Sequence, residues 1–254
     1  MLGSLVKAPG FMLQHVNVYI ALLLVTLVHG LLYWANSDLL ATFVDGTVGG
    51  ILWSTDTLLM ARAVVLIVLS LALTIFSMAL VARSFISENY SPKNSLFFSS
   101  LAFAIVLFAV MMGTYFLVQG IAGLASIGGI FSWMIGIAIF LIGMVVAIMV
   151  IKFSFTPVYM GRGFLPKDAL TQSWRATKGK ALYVIVLLIV LLVVTGLLQA
   201  IALILTEPIQ NETYVYVLYL IFSSIGLFYS SSVLGLAAPA TGMGTLSVHA
   251  HRKK

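Results

Sequence analysis

Six times between Asn17 and Thr241 the chain runs for eighteen residues or more with almost no charge. The runs are Asn17 to Trp34, Thr57 to Val81, Leu96 to Val118, Ile130 to Ile151, Ala181 to Leu205 and Tyr214 to Thr241, and only Arg62 breaks their neutrality. About twenty residues of helix, rising 1.5 Å each, cross the roughly 30 Å of hydrocarbon in a bilayer. Backbone amides find no water there, so a spanning segment must satisfy them within itself or in a closed barrel. Runs this long that do not alternate in polarity predict helices. Composition agrees, because 62% hydrophobic and 8% charged residues leave too little polar surface to coat a soluble globule. The expectation is an all-α, polytopic integral membrane protein with six transmembrane helices in one domain spanning residues 1–254.

Orientation follows from the bases, since Lys and Arg are retained on the cytoplasmic side. With the N-terminus inside, Lys7, Arg83, Lys93, the six bases between Lys152 and Lys180, and Arg252, Lys253 and Lys254 all fall inside, twelve of the thirteen. The exception, Arg62, lies one turn into the second helix and can snorkel to the outer interface. Asp38, Asp45, Asp56, Glu207 and Glu212 fall outside, leaving Glu88 and Asp168 inside. Both termini are therefore predicted to be cytoplasmic. Residues 35–56, with three glycines and no base, read as an external loop with an interfacial helix anchored by Trp53. Pro9 and Gly10 predict a break before the first span, whose length suits a retained helix rather than a cleaved signal. The sequon at Asn211 falls on the outer side.

Function classes are narrowed by what is missing. Zero cysteines exclude disulfides, thiolate metal sites and Cys nucleophiles. The net charge of +6 sits beside hydrophobic runs, which points to phospholipid headgroups rather than nucleic acid. No Asp, Glu or Lys lies at mid-depth in any run, where cation-coupled carriers place their relays. His29, Gln119 and Gln199 are the intramembrane polar candidates, and His29 could meet Gln199 if the first and fifth helices are adjacent. Hydroxyls within the runs are expected to bond their own backbone or a neighbouring helix, at roughly 0.6–2 kcal/mol each. No catalytic triad, nucleophile elbow or Walker loop occurs, and His249 and His251 stand beside a basic tail that repels a cation. The sequence thus offers no catalytic, cofactor-binding or metal-ligating set. Gly128, Ser132 and Gly136, then Gly143 and Ala147, make a small-residue seam suited to close helix packing, and Pro239 predicts a kink in the sixth helix.

The cytoplasmic stretch Lys152 to Lys180 holds six of the thirteen bases and one acid. Pro157 is expected to end the fourth helix, and Gly161 and Gly163 to loosen the chain around Arg162. Pro166 suits the first turn of a new helix and Gly179 its C-terminal cap. Leu170, Ser173, Trp174 and Thr177 share one face at helical spacing. A short amphipathic helix between helices 4 and 5 is predicted at the inner interface, with Trp174 at headgroup depth. Arg162, Lys167, Trp174, Arg175, Lys178 and Lys180 are its candidate contacts with phospholipid or with a protein partner.

The pattern Phe155 and Pro157, then Ala169, Leu170, Ser173, Trp174, Thr177 and Gly179 before a long apolar helix, resembles the six-helix membrane domain fused to some glycerophosphodiester phosphodiesterases, and its stand-alone prokaryotic relatives. The resemblance covers the six-span layout and about 25 residues of motif; it implies an accessory or lipid-related role in a prokaryotic plasma membrane and brings no catalytic residue. Asp168, Ala169 and Leu170 are also similar to the start of the ATPase-docking helix of ABC importer permeases, though Ser173 stands where that motif has Gly. Aligning Ser4 to Thr26 with Ser173 to Thr195 gives eight identities in 23 positions, the pattern of a parallel repeat in which an interfacial helix precedes helices 1 and 5. The expected function is a non-enzymatic membrane module, accessory subunit or lipid-interacting scaffold; the alternative is a transporter or permease subunit for a small solute or lipid.

Overall fold

A computed structural model describes residues 2–36, 57–85, 94–123, 130–208 and 212–239. Among them every regular element is a helix: α1 (Leu2–Gln14), α2 (Val16–Trp34), α3 (Thr57–Ser84), α4 (Asn94–Gly123), α5 (Ile130–Phe153), α6 (Thr156–Gly161), α7 (Pro166–Ala176), α8 (Ala181–Thr206) and α9 (Glu212–Ala237). Five are long and apolar enough to cross a membrane, and α1 with α2, which meet at 90°, make a sixth if they count as one span. The expected external loop with Trp53, the acid Glu88, the sequon at Asn211 and the tail with His249 and His251 lie outside the described residues.

Helix α9 is the hub, packing against α1, α2, α3, α6 and α8, while α3 lies between α2 and α4 and against α6. Three sets of contacts bring several chain segments to one end of the bundle. Phe11 of α1 stacks on Phe85 just after α3 at 3.9 Å, Phe85 also abuts Gly235 of α9, and Arg162 reaches Pro239. At the opposite end Tyr216 of α9 donates to the Gly30 carbonyl of α2, and Arg62 donates to Asn36 at 3.2 Å. Lys7, Arg83, Lys152 and the α6–α7 bases thus gather at the first end, hereafter the basic end.

Pro9 does not interrupt α1, contrary to the expected break; the chain bends at His15 instead. Proline has no N–H to give the carbonyl four residues back. That carbonyl, on Leu5, accepts from the Tyr229 hydroxyl of α9 at 3.4 Å, so tertiary packing supplies the lost donor. The echo between the two halves extends to burial: Ser4, Ala8, Val18 and Leu22 are buried, and so are their counterparts Ser173, Thr177, Leu187 and Leu191. Thr26 and Thr195 both donate back to the carbonyl four residues earlier.

Three further expectations are corrected. Helix α4, expected to end near Val118, runs on through Gly120 to Gly123. Helix α9 stops at Ala237, so Pro239 follows the helix rather than kinking it, because the residue before a proline is pushed out of helical geometry. On α5, a Cβ added at Gly136 or Gly143 would meet nothing within 4 Å, so these two glycines of the expected seam close no contact among the described residues. The tight crossings lie elsewhere. A Cβ on Gly161 would fall on the Ala79 carbonyl, and one on Gly235 would strike the Phe85 ring.

Candidate functional site: a basic face and a polar cleft

Helix α5 ends at Phe153 and the chain turns through Ser154 and Phe155 into α6, whose six residues are all buried among α3, α4, α7 and α9. Pro157 lies in the first turn of α6, where its missing N–H costs no helical bond. It starts a helix as well as following one. Gly161 does not loosen the chain, because its lack of a side chain is what lets α6 touch the backbone of α3. Gly163 and Gly179, at φ +95° and +72°, make the two left-handed turns that flank α7.

Helix α7 is fastened by small residues. Ala169, Ser173 and Thr177, spaced by four, are fully buried. The Ser173 hydroxyl donates to the Lys152 carbonyl at 2.6 Å and accepts the Phe155 N–H at 3.2 Å, serving both sides of the break between α5 and α6. Trp174, expected to share one face with Ser173 and Thr177, is not buried with them; it is 47% exposed, with its ring 6.2 Å from Phe153 and the Lys152 ammonium 5.1 Å above it. Lys167, Arg175, Lys178 and Lys180 are exposed around it, with Asp168 as the acid among them.

Arg162 behaves differently from the other bases. Its guanidinium turns inward and donates to the carbonyls of Pro239 at 2.7 Å and of Gly235 and Ala238 at 3.2 Å each. The Gly235 carbonyl, in the last turn of α9, and those of Ala238 and Pro239 just beyond it stand at the negative end of that helix. Burial pulls the Arg162 pKa below the usual arginine range, with the Tyr159 phenol acting in the opposite sense; arginine stays charged at neutral pH even so.

Beside Arg162 opens a cleft of about 370 Å³ lined by Arg83, Ser95, Leu96, Ser99 and the turn from Met160 to Leu165. The Arg83 Nε is buried and has no hydrogen-bond partner. Among the described residues no carboxylate lines the cleft. Charge patterning counted Arg83 only among the bases expected on the inner side; Ser95 and Ser99, one turn apart, were the remaining signal in the sequence.

No family model, curated protein or solved structure matches this chain. What the arrangement can do follows from its own chemistry. Among the intramembrane candidates, Gln199 of α8 donates to Ser223 of α9 at 2.9 Å, His29 is half-buried on α2, and Gln119 is exposed on α4. Helix α9 packs against both α2 and α8. The hydroxyls of Thr26, Thr74, Ser100, Ser231 and Ser232 bond carbonyls in their own helices.

Proposed function

We propose that this protein is a non-enzymatic membrane module of a prokaryotic plasma membrane, an accessory or lipid-interacting scaffold whose basic end faces the cytoplasm and holds anionic phospholipid headgroups on the outer face of α7. The observation that carries this reading is the division of α7 into two faces. Ala169, Ser173 and Thr177 are locked into the bundle, so the helix cannot roll, and Lys167, Trp174, Arg175, Lys178 and Lys180 are all left outside. Each Lys or Arg near an anionic leaflet contributes about 1 kcal/mol, and a tryptophan beside them suits the headgroup layer. The resemblance of this segment to the phosphodiesterase-associated membrane domain points the same way. Pairing of Gln199 with Ser223 speaks for a scaffold rather than a permease, because it uses up a polar group a solute path would need.

Native mass spectrometry of the gently extracted protein tests this reading, comparing wild type with an Arg175→Ala, Lys178→Ala double variant. Anionic phospholipid should remain on the wild type and be largely lost from the variant, with zwitterionic lipid unaffected. Equal retention by both proteins would leave α7 as an anchor only and overturn the proposal.

A further inference from the structure

The cleft between the ends of α3 and α4 and the turn from α6 to α7 is separate from the outer face of α7, and its chemistry is more specific. Its volume of about 370 Å³ is many times the roughly 30 Å³ share of one water molecule. Arg83 reaches it from the last turn of α3. A guanidinium offers five N–H donors and keeps its charge, and the Nε of Arg83 is buried with no hydrogen-bond partner. A buried donor without an acceptor is costly, so this Nε donor is unsatisfied as it stands.

We infer that the cleft binds a phosphate group, with Arg83 as its principal ligand. The planar fork of arginine matches two phosphate oxygens at once. Ser95 and Ser99, both on the cleft and one turn apart on α4, supply neutral donors for the remaining oxygens. The first-turn N–H groups of α4 lack acceptors within the helix and place its positive end at the same spot. Arg162, whose donors are engaged by the α9 carbonyls, adds a second fixed positive charge. Divergent donors of this kind fit the tetrahedral array of a phosphate better than a flat carboxylate. Leu96 and Leu165 line the apolar side of the cleft, and Leu165 is 67% exposed. A phospholipid headgroup and a free phosphate or phosphoester present the same group, and they differ in whether that apolar side is used. The inference does not depend on lipid binding by α7, and the two fail separately.

The test uses the full chain purified in a neutral detergent and titrated with either inorganic phosphate or a short-chain phosphatidylglycerol, binding being followed by thermal shift and by adduct mass. The comparison is between wild type, Arg83→Gln, Arg83→Lys, Ser99→Ala and the α7 double variant. Inorganic phosphate should bind wild type and the α7 double variant alike, and phosphatidylglycerol is titrated in the double-variant background, where the headgroup contacts proposed for α7 are removed. Arg83→Gln should bind at least about tenfold more weakly, a loss typical of a charge-assisted hydrogen bond. Arg83→Lys, which keeps charge but loses the fork, should fall between, and Ser99→Ala should weaken binding without touching the charge. Should Arg83→Gln fail to fold, the Lys and Ser99 variants carry the same comparison. Binding of phosphatidylglycerol alone identifies a headgroup site; equal competition by inorganic phosphate identifies a site for soluble phosphate. Either source supports the inference. Absence of binding of both ligands, phosphate to wild type and phosphatidylglycerol to the α7 double variant, or unchanged binding in every Arg83 and Ser99 variant that folds, overturns it.

Discussion

Replacing Gly161 by alanine adds a single methyl group at the crossing of α6 and α3. The new Cβ would fall on the Ala79 carbonyl and lie 2.9 Å from the Ala82 Cβ, where ordinary contact begins at 3.4 Å. The helices must therefore separate by at least about half an ångström. Ala79 and Ala82 are fully buried within a helix of 28 residues, so no flexible side chain can swing aside. Overpacking of a rigid core costs about 1–3 kcal/mol, and the obstacle here is backbone, which places the cost toward the upper end. Removing a helical glycine returns roughly 0.5–1 kcal/mol. The expected result is a net loss of about 1–2 kcal/mol, or roughly 2–8 °C in midpoint for a chain of this size. Thermal unfolding in detergent, followed by far-ultraviolet circular dichroism, measures it. Gly136→Ala is the matched control, since its Cβ would meet open space, and it should leave the midpoint unchanged or raise it slightly. If Gly161→Ala unfolds at the wild-type temperature, or if Gly136→Ala is the more damaging change, the close crossing of α6 on α3 does not hold the basic end together.

Two other substitutions probe the same architecture. Ser173→Ala removes both the donor to Lys152 and the acceptor for the buried Phe155 N–H, and should cost about 1–3 kcal/mol with faster amide exchange at Phe155; unchanged exchange there would show that the break between α5 and α6 is held by other contacts. Tyr229→Phe should cost about 1 kcal/mol in the wild type and less in a Pro9→Ala background, because alanine restores the helical N–H to Leu5; an equal cost in both backgrounds, measured by denaturation of the four proteins, would separate the Tyr229 bond from the proline.

The long helices were legible because their signal is local and dense. Starts at Thr57, Ile130 and Ala181 coincide with the expected ones, and Val16 is one residue from Asn17. Ends were less legible: Pro9, read as a break, is tolerated within α1 because Tyr229 stands near its orphaned carbonyl, and α4 runs past Val118 because a neutral helix can continue through Gly120. Helix α7 was legible from Pro166 and Gly179, although spacing grouped Trp174 with Ser173 and Thr177, whereas the residue buried beside those two is Ala169. The small-residue pattern on α5 looked like a packing seam, yet the closest crossing uses Gly161, a lone glycine that spacing rules pass over.

Function-bearing chemistry divides along the same line. A count of Lys and Arg marks the stretch from Lys152 to Lys180 as basic, but says nothing about which guanidinium is already engaged. Arg162 closes the end of α9, 73 to 77 residues away in the chain, whereas Arg83, an ordinary helix end by sequence, faces an open cleft with its Nε unpartnered. By itself the sequence determined that this chain is a set of lipid-length helices with its bases concentrated in short links, since hydrophobicity and charge are properties of each segment alone. Only the tertiary structure decided which polar groups answer one another, because a hydrogen bond or a helix cap joins partners that the chain keeps far apart until the helices pack.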